Sequence, residues 1–368
     1  MIDGTDKFGY TLMRYYHQWK GCIVLTNREI AQKLKVSPAA LSLIINGKPG
    51  ISDSTRTRII SQLQEMGLEH LIKKPAPSVG ENAQLCFVVY KKTGEILDTH
   101  SFFLLLLETV ETCARSYHYD LMLHTIDERR PLPEQFKQLA EKKTSGAILF
   151  ATEMTDRDME PFLNLPFPVF ALDNDFTRLN CNSLSINNRM GTAQAIEYLI
   201  SMGHTRIGYL ASNIHISSFI ERKQGYHQAM AEHGMSFAKE DIIPVRYVED
   251  DCFHDVQAFL QNHKGSTMPS AFVCDDDTAA IGAMRAFTAC GFRIPEDISI
   301  IGFNNRPSCE LTSPPLTTIN VFRDAMASQA VHELVRQIRE PEQYAPEVCA
   351  RKLRLGTQLV ERESVKRV

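Results

Sequence analysis

The sequence contains no apolar run long enough to cross a bilayer. The longest, SFFLLLLETV at 101–110, already includes Glu108, whereas a helical span needs about 20 residues. The N-terminus MIDGTDKF lacks a basic stretch followed by an apolar one, so no secretory signal is expected. Tryptophan is nearly missing, Trp19 being the only one. The nine cysteines are odd in number, scattered, and never spaced as CxxC. That pattern argues against a disulfide framework or a zinc site, and for reduced, mostly buried thiols in a cytoplasmic protein. Also absent are GxGxxG after a strand, GxxxxGK followed by Ser or Thr, HExxH and GxSxG. Without these phosphate cradles, metal pairs or nucleophile turns, the expectation is no enzyme and no cofactor.

What is present begins with TNREIAQKLKVSPAALSLIINGKPGIS at 26–52. Thr26 is placed to cap a helix running to about Leu34. Ser37-Pro38 opens a second helix, since Ser caps and Pro tolerates the first helical position, and Asn46-Gly47 stops it. Two short helices joined by a tight turn can set one helix in the DNA major groove. A third helix is expected from the Ser52 cap to Gly67, with Ile59, Ile60, Leu63 and Met66 on one face covering the first two. Residues 1–74 carry a charge of +5 and residues 75–368 carry −9, although the whole chain carries only −4. A basic head on an acidic body fits a protein in which only the head meets phosphates.

At 368 residues and 43% apolar content, the chain is long enough for two or three domains with sizeable cores. Residues 1–21 read as an N-terminal extension that packs as a helix on the head (22–70). Residues 71–83, with Pro75 and Pro77, read as a linker. From 84 onward, apolar runs fit for buried parallel strands alternate with amphipathic helices: QLCFVVY (84–90), helix 101–116, YDLMLHT (119–125), helix 133–143, SGAILFA (145–151), a short helix near 156–164, and PVFALD (168–173). A second series continues with helix 188–202, RIGYLAS (206–212), helix 219–234, IIPVRY, helix 255–263, SAFVCD (270–275), helix 277–290 and ISIIGF (298–303). Strict alternation of this kind implies doubly wound α/β sheets, here in two lobes over 84–368. The expected assignment is lobe 1 at 84–187 and 317–340, and lobe 2 at 188–316 and 341–364. Ligands of such sheets bind beyond the carboxyl ends of the strands, which between two lobes line a cleft.

Several residues near those ends invite a chemical reading. Asp275-Asp276-Asp277 could suggest a metal, but a strand end running into a helix more often uses Asp as a cap, so no metal is expected. His204 reads as a structural hydrogen-bonding residue. Arg222 offers a guanidinium fork for hydroxyls or an anion, or else a surface ion pair. Phe102 and Phe103 follow the first strand, where one can stack on a ring and the other pack in the core.

The pieces EIAQKLKVSPAALSLIINGKPGIS, AIEYLISMGHTRIGYL, ERKQGYHQAM, SAFVCDDDTAAIGAMRAF, GFRIPEDISIIGFNN, SPPLTTI and LVERES together resemble the LacI/GalR family of bacterial transcriptional regulators over about 22–364. The resemblance implies a helix-turn-helix head, a body like that of periplasmic sugar-binding proteins, and a homodimer (or tetramer) on a palindromic double-stranded operator. It implies effector contacts at Phe102, Phe103, Asp173, Arg222, Asp276 and the Asn304 position, with Phe253 as an aromatic contributor. Lobe crossings would fall near 187, 317 and 340. The implied DNA contacts are Thr26, Ser37, Pro38, Ala39, Ser42, Leu43, Asn46, Lys48, Ser52, Thr55 and Arg56, with Ser42 and its neighbours facing bases and the polar residues facing phosphates.

Three departures stand out. The reading helix presents Pro38, Ala39, Ala40 and Leu43 where polar side chains are usual, so base reading leans on apolar contact and shape. The linker LIKKPAPSVG lacks the pattern of a hinge helix. Asn304 stands where the family has an acidic residue, and an amide both donates and accepts. The expectation is a ligand-responsive repressor of a carbohydrate-use operon. The competing reading is a two-lobed solute-binding or receptor protein without DNA function.

Overall fold

The computed structural model describes residues 27–45, 50–66, 68, 83–97, 102–236, 238–263 and 268–368. The expected N-terminal extension, the linker, Thr26, Asn46, Lys48, Gly67 and the side chains of Phe102 and Phe103 lie outside the described positions. The chain divides into two compact units, Met1–Ser78 and Val79–Val368.

In the first unit, α1 (Asn27–Lys33), α2 (Pro38–Ile45) and α3 (Asp53–Glu65) surround a small core. Ile30, Ala31, Leu34, Leu41, Ile44, Ile59 and Leu63 form that core. The Ser37 hydroxyl accepts from the Ala40 amide at 3.0 Å, and the Ser52 hydroxyl accepts from the Thr55 amide at 3.4 Å. Both serines thus relieve orphan amides of a helix start. Met66 departs from expectation: it lies one residue beyond α3 and is exposed, so Ile59 and Leu63 carry the buried face.

The second unit holds two six-stranded sheets. The strands are β1 (Gln84–Lys91), β2 (Asp120–Asp127), β3 (Gly146–Phe150), β4 (Val169–Leu172), β5 (Ser183–Ile186), β6 (Ile207–Ser212), β7 (Ile242–Val245), β8 (Ala271–Cys274), β9 (Ser299–Asn304), β10 (Thr317–Asn320), β11 (Lys352–Leu355) and β12 (Gln358–Val360). The first sheet runs β11-β5-β4-β3-β1-β2, all parallel. The second runs β12-β10-β9-β8-β6-β7, parallel except for β12 against β10. Helices α4 (Phe102–Ser116), α5 (Leu132–Ala140) and α10 (Arg323–Arg339) accompany the first sheet. Helices α6 (Asn188–Ser201), α7 (Ser217–Glu232), α8 (Glu249–Asn262) and α9 (Asp277–Ala289) accompany the second. Central strands read as continuous apolar runs because helices cover both of their faces. No helix of the described residues is long and apolar enough to cross a membrane.

The lobe boundaries differ from the expected ones. Thr317–Asn320 pairs with β9 and belongs to the second sheet, while Lys352–Leu355 pairs with β5 in the first. The chain therefore crosses between lobes at about 187, 321 and 356 rather than near 187, 317 and 340. The cause is pairing: Thr317 and Thr318 are fully buried between β9 and β12, whereas α10 packs its Leu334 and Ile338 against Gly146 of β3.

Candidate functional site

The carboxyl ends of the two sheets face each other across a cleft of about 40 Å³, room for about three waters. Its lining includes Ile96, Leu97, Phe150, Thr152 and Asp173 from the first lobe, and Ser218, Phe219, Arg222, Tyr247, Asp276, Asn304 and Arg306 from the second. Of the expected effector contacts, the structure brings Asp173, Arg222, Asp276 and Asn304 to this one place. Phe102 and Phe103 begin α4.

Phe253 is a correction. It sits on α8 against the lobe 2 core, with the Arg285 guanidinium 5.2 Å from its ring centre, and does not line the cleft. The aromatic supplied by that segment is Tyr247, because the turn after β7 reaches the strand ends before α8 begins. Tyr247, Thr152, Phe219 and Arg306 escaped the sequence reading. A Tyr directly after a β-run and an Arg two residues beyond Asn304 were the available signals.

Arg222 is 4% exposed and anchors the second-lobe wall. Its Nε donates to Asn188 Oδ1 at 2.9 Å, Nη1 donates to the Asp275 carbonyl, and Nη2 donates to Asn304 Oδ1 at 3.3 Å. The guanidinium carbon lies 3.7 Å over the Phe303 ring centre, a cation–π contact away from bulk water. Asn304 also donates through Nδ2 to Asp276 Oδ2 at 2.5 Å. The amide thus bridges a cation and an anion, which a carboxylate at this position could not do without meeting Asp276. Asp276 caps α9, accepting from the Thr278 amide at 2.7 Å, and its Oδ2 lies 3.9 Å from Arg306 Nη2.

Across the cleft, Asp173 accepts from the Thr152 hydroxyl at 2.6 Å. Asp173 has φ +70° and Asn304 φ +109°, a left-handed backbone that costs non-glycine residues roughly 1–3 kcal/mol and collects at functional sites. Both residues end strands that aim them into the cleft.

The three consecutive aspartates serve different ends. Asp275 accepts from the Tyr209 hydroxyl and, at 2.6 Å, from the Ser212 amide. Asp277 accepts from Thr318 Oγ1 at 2.5 Å and from the Arg306 amide at 2.8 Å. Burial, helped by the neighbouring Asp276 charge, pushes each of these two carboxyls up to about 7 against the hydrogen bonds they accept. Burial likewise raises Asp173, opposed by Thr152 and the Arg222 charge. No group of three or more metal-ligating side chains occurs among the described residues. His204 Nδ1 pairs with the Ser270 hydroxyl at 2.8 Å, outside the cleft.

On the first unit, Ser37, Pro38, Ala39 and Ser42 are exposed and Leu43 and Thr55 half-exposed, while Ser52 pairs with Thr55 through their hydroxyls at 2.8 Å. Arg56 is turned to the end of α2, donating to the Leu43 and Ile44 carbonyls at 3.5 and 3.4 Å.

Two parallel-sheet lobes joined by three crossings, with a polar and aromatic cleft at their strand ends, define a two-lobed ligand-binding protein of the periplasmic-binding type. Residues 196–365 match the family model described as a periplasmic binding protein-like domain. The chain is 28% identical to the ribose operon repressor of Haemophilus influenzae, covering 86% of this chain and 92% of that protein. It is 26% identical to the HTH-type transcriptional repressor PurR of Vibrio vulnificus, covering 93% and 99%. A regulatory protein of the LacI family from Chloroflexus aggregans superposes with a TM-score of 0.67 at 25% identity, over 76% of this chain and 98% of that one. Over most of its length the chain is therefore similar to transcriptional repressors and to a regulatory protein of the LacI family.

Proposed function

We propose that the chain is a ligand-responsive repressor that binds a two-fold symmetric operator as a dimer and is switched by a small, uncharged, hydroxyl-rich effector in the cleft. The observation that carries this reading is the Arg222–Asn304–Asp276 chain on one lobe facing Asp173–Thr152 on the other. Donors and acceptors alternate there above aromatic faces, which suits vicinal hydroxyls. Two guanidiniums and two carboxylates line the cleft, a balance that favours a neutral ligand over an anion. The relatives named as repressors, one of a ribose operon, support the same reading. An effector in this cleft acts by binding one lobe arrangement better than the other.

On the DNA side, Pro38, Ala39, Ser42 and Leu43 form the face offered to the groove, with Ser37, Ser52 and Thr55 toward phosphate. Arg56, whose Nη1 donates to the α2 carbonyls, belongs with these three on the phosphate side. The domains of this reading are the head (22–70), the linker (71–83) and the two-lobed body (84–368).

The test is a titration of the full chain onto the promoter upstream of its own gene, with and without neutral sugars, beside Ser42→Arg and Arg222→Ala variants. Sugar-dependent operator binding that Arg222→Ala renders sugar-blind supports the proposal. Operator binding unaffected at Ser42, or a sugar response that survives in Arg222→Ala, refutes the corresponding half.

A further inference from the structure

Glu153 lies one residue beyond Thr152 and is 5% exposed, yet it is hydrogen-bonded almost entirely to backbone. Its Oε2 accepts from the amides of Lys92, Thr93 and Gly94 at 2.8, 3.1 and 3.0 Å. Its Oε1 accepts from Ile96 and Leu97 at 3.1 and 3.3 Å. Five N–H groups of one loop converge on one carboxylate, a concave nest closed around an internal anion. The loop can wrap because Gly94 takes φ +79°. The Lys92 ammonium is committed elsewhere, to Asp158 at 2.6 Å and Glu128 at 3.8 Å. The loop's own dipoles therefore compensate the Glu153 charge.

The wrapped segment forms the first-lobe wall of the cleft, since Ile96 and Leu97 line it and are only 7% and 5% exposed. A loop leaving a strand end has no ladder to fix it, so something must hold these two apolar side chains in place. We infer that Glu153 is a positioning residue for effector recognition: it clasps residues 92–97 so that Ile96 and Leu97 present a fixed apolar wall opposite Arg222 and Tyr247. This deepens the sensor reading above and rests on it for the effector, though not for the clasp.

A carboxylate is required. Glutamine offers one acceptor oxygen, and its amide hydrogens would confront two or three of the five donors. Each amide left without a partner in a buried site carries the full desolvation penalty.

The experiment uses the full chain as wild type, Glu153→Gln, Glu153→Asp and Leu97→Ala. Amide hydrogen exchange is followed by mass spectrometry, and D-ribose and cellobiose are titrated by calorimetry. In Glu153→Gln, exchange across 92–97 should accelerate on the order of 10- to 100-fold while β1 and β3 stay protected. Glu153→Asp, which keeps both oxygens, should restore part of that protection. Whichever sugar the wild type binds should bind Glu153→Gln at least about tenfold more weakly, a loss of about 1.4 kcal/mol. Leu97→Ala should lose affinity with the clasp amides still protected.

Unchanged exchange at 92–97, or acceleration spread evenly over β1 and β3, overturns the clasp. Accelerated exchange with unchanged sugar affinity overturns the positioning role. Failure of both sugars to bind the wild type overturns the sugar reading and leaves the exchange result to decide the clasp.

Discussion

Replacing Arg222 by Met removes the one buried cation that touches Asn188, the Asp275 carbonyl and Asn304 together. Methionine keeps much of the volume over Phe303, so the loss is mainly electrostatic. Three buried neutral acceptors lose their charged donor, at about 1–3 kcal/mol for each that stays unsatisfied, so a total of about 3–5 kcal/mol is expected. Against a total stability of about 5–15 kcal/mol, that is a large share. At about 2–4 °C per kcal/mol for a body of this size, the melting temperature should fall by roughly 6–20 °C.

The same substitution should change the pH dependence. Asp275 is already raised from 3.8 to about 7, and the Arg222 charge is among the groups that hold it down. A carboxyl with a raised folded pKa binds its proton more tightly folded than unfolded. Its stabilising contribution is therefore present at low pH and lost as pH rises through the folded pKa. Without the guanidinium that loss continues to higher pH, each further unit adding about 1.4 kcal/mol to the deficit. Asp173, also raised and also opposed by Arg222, acts in the same direction. Calorimetric melting of wild type and Arg222→Met at pH 5.5 and 8.0 should show a small deficit at the lower pH and a large one at the higher. An equal deficit at both values would refute charge compensation as the role of Arg222.

Three other outcomes follow from the same packing. Gly302→Ala places a Cβ 2.3 Å from Asp277 Oδ1 and 3.0 Å from Leu316 Cδ2, so overpacking should cost at least about 1–3 kcal/mol; an unchanged melting temperature would contradict it. Ser37→Ala removes the acceptor for the Ala40 amide and should cost the head about 1 kcal/mol in a urea titration, leaving the transition of the body where it was. Thiol labelling read by mass spectrometry should modify the exposed Cys290 and Cys349 well before the buried Cys86, Cys252, Cys274 and Cys309, whose thiols burial raises; labelling in the opposite order would contradict the burial pattern.

Much of this architecture is legible in the residues themselves. Apolar runs such as QLCFVVY and SAFVCD become central strands because a strand covered by helices on both faces leaves no position for polar groups. Ser37-Pro38 and Ser52 fix helix starts through local hydrogen bonds that need no distant partner. Arg222 could be singled out because an early helix turn at a strand end is where such sheets present polar groups, whereas Asp173, Asp276 and Asn304 were legible only through the resemblance to a known family. Phe253 failed as a site residue because helical phase and the approach of Arg285 decide which way an aromatic points, and neither is written in its neighbours. The exchange of Thr317–Asn320 and Lys352–Leu355 between sheets went unread for a similar reason: short edge strands carry little pattern, and only pairing assigns them.

The sequence alone determined the alternation of strands and helices, the capped helices of the head and the split of charge between head and body, since each depends on residues close together in the chain. Tertiary structure alone decided that Asn304 bridges Arg222 to Asp276, that the chain crosses between lobes at 321 and 356, and that Glu153 gathers five amides from a loop nearly 60 positions away. Those contacts join segments far apart in sequence, where no local propensity reaches and only the closed fold sets the distances.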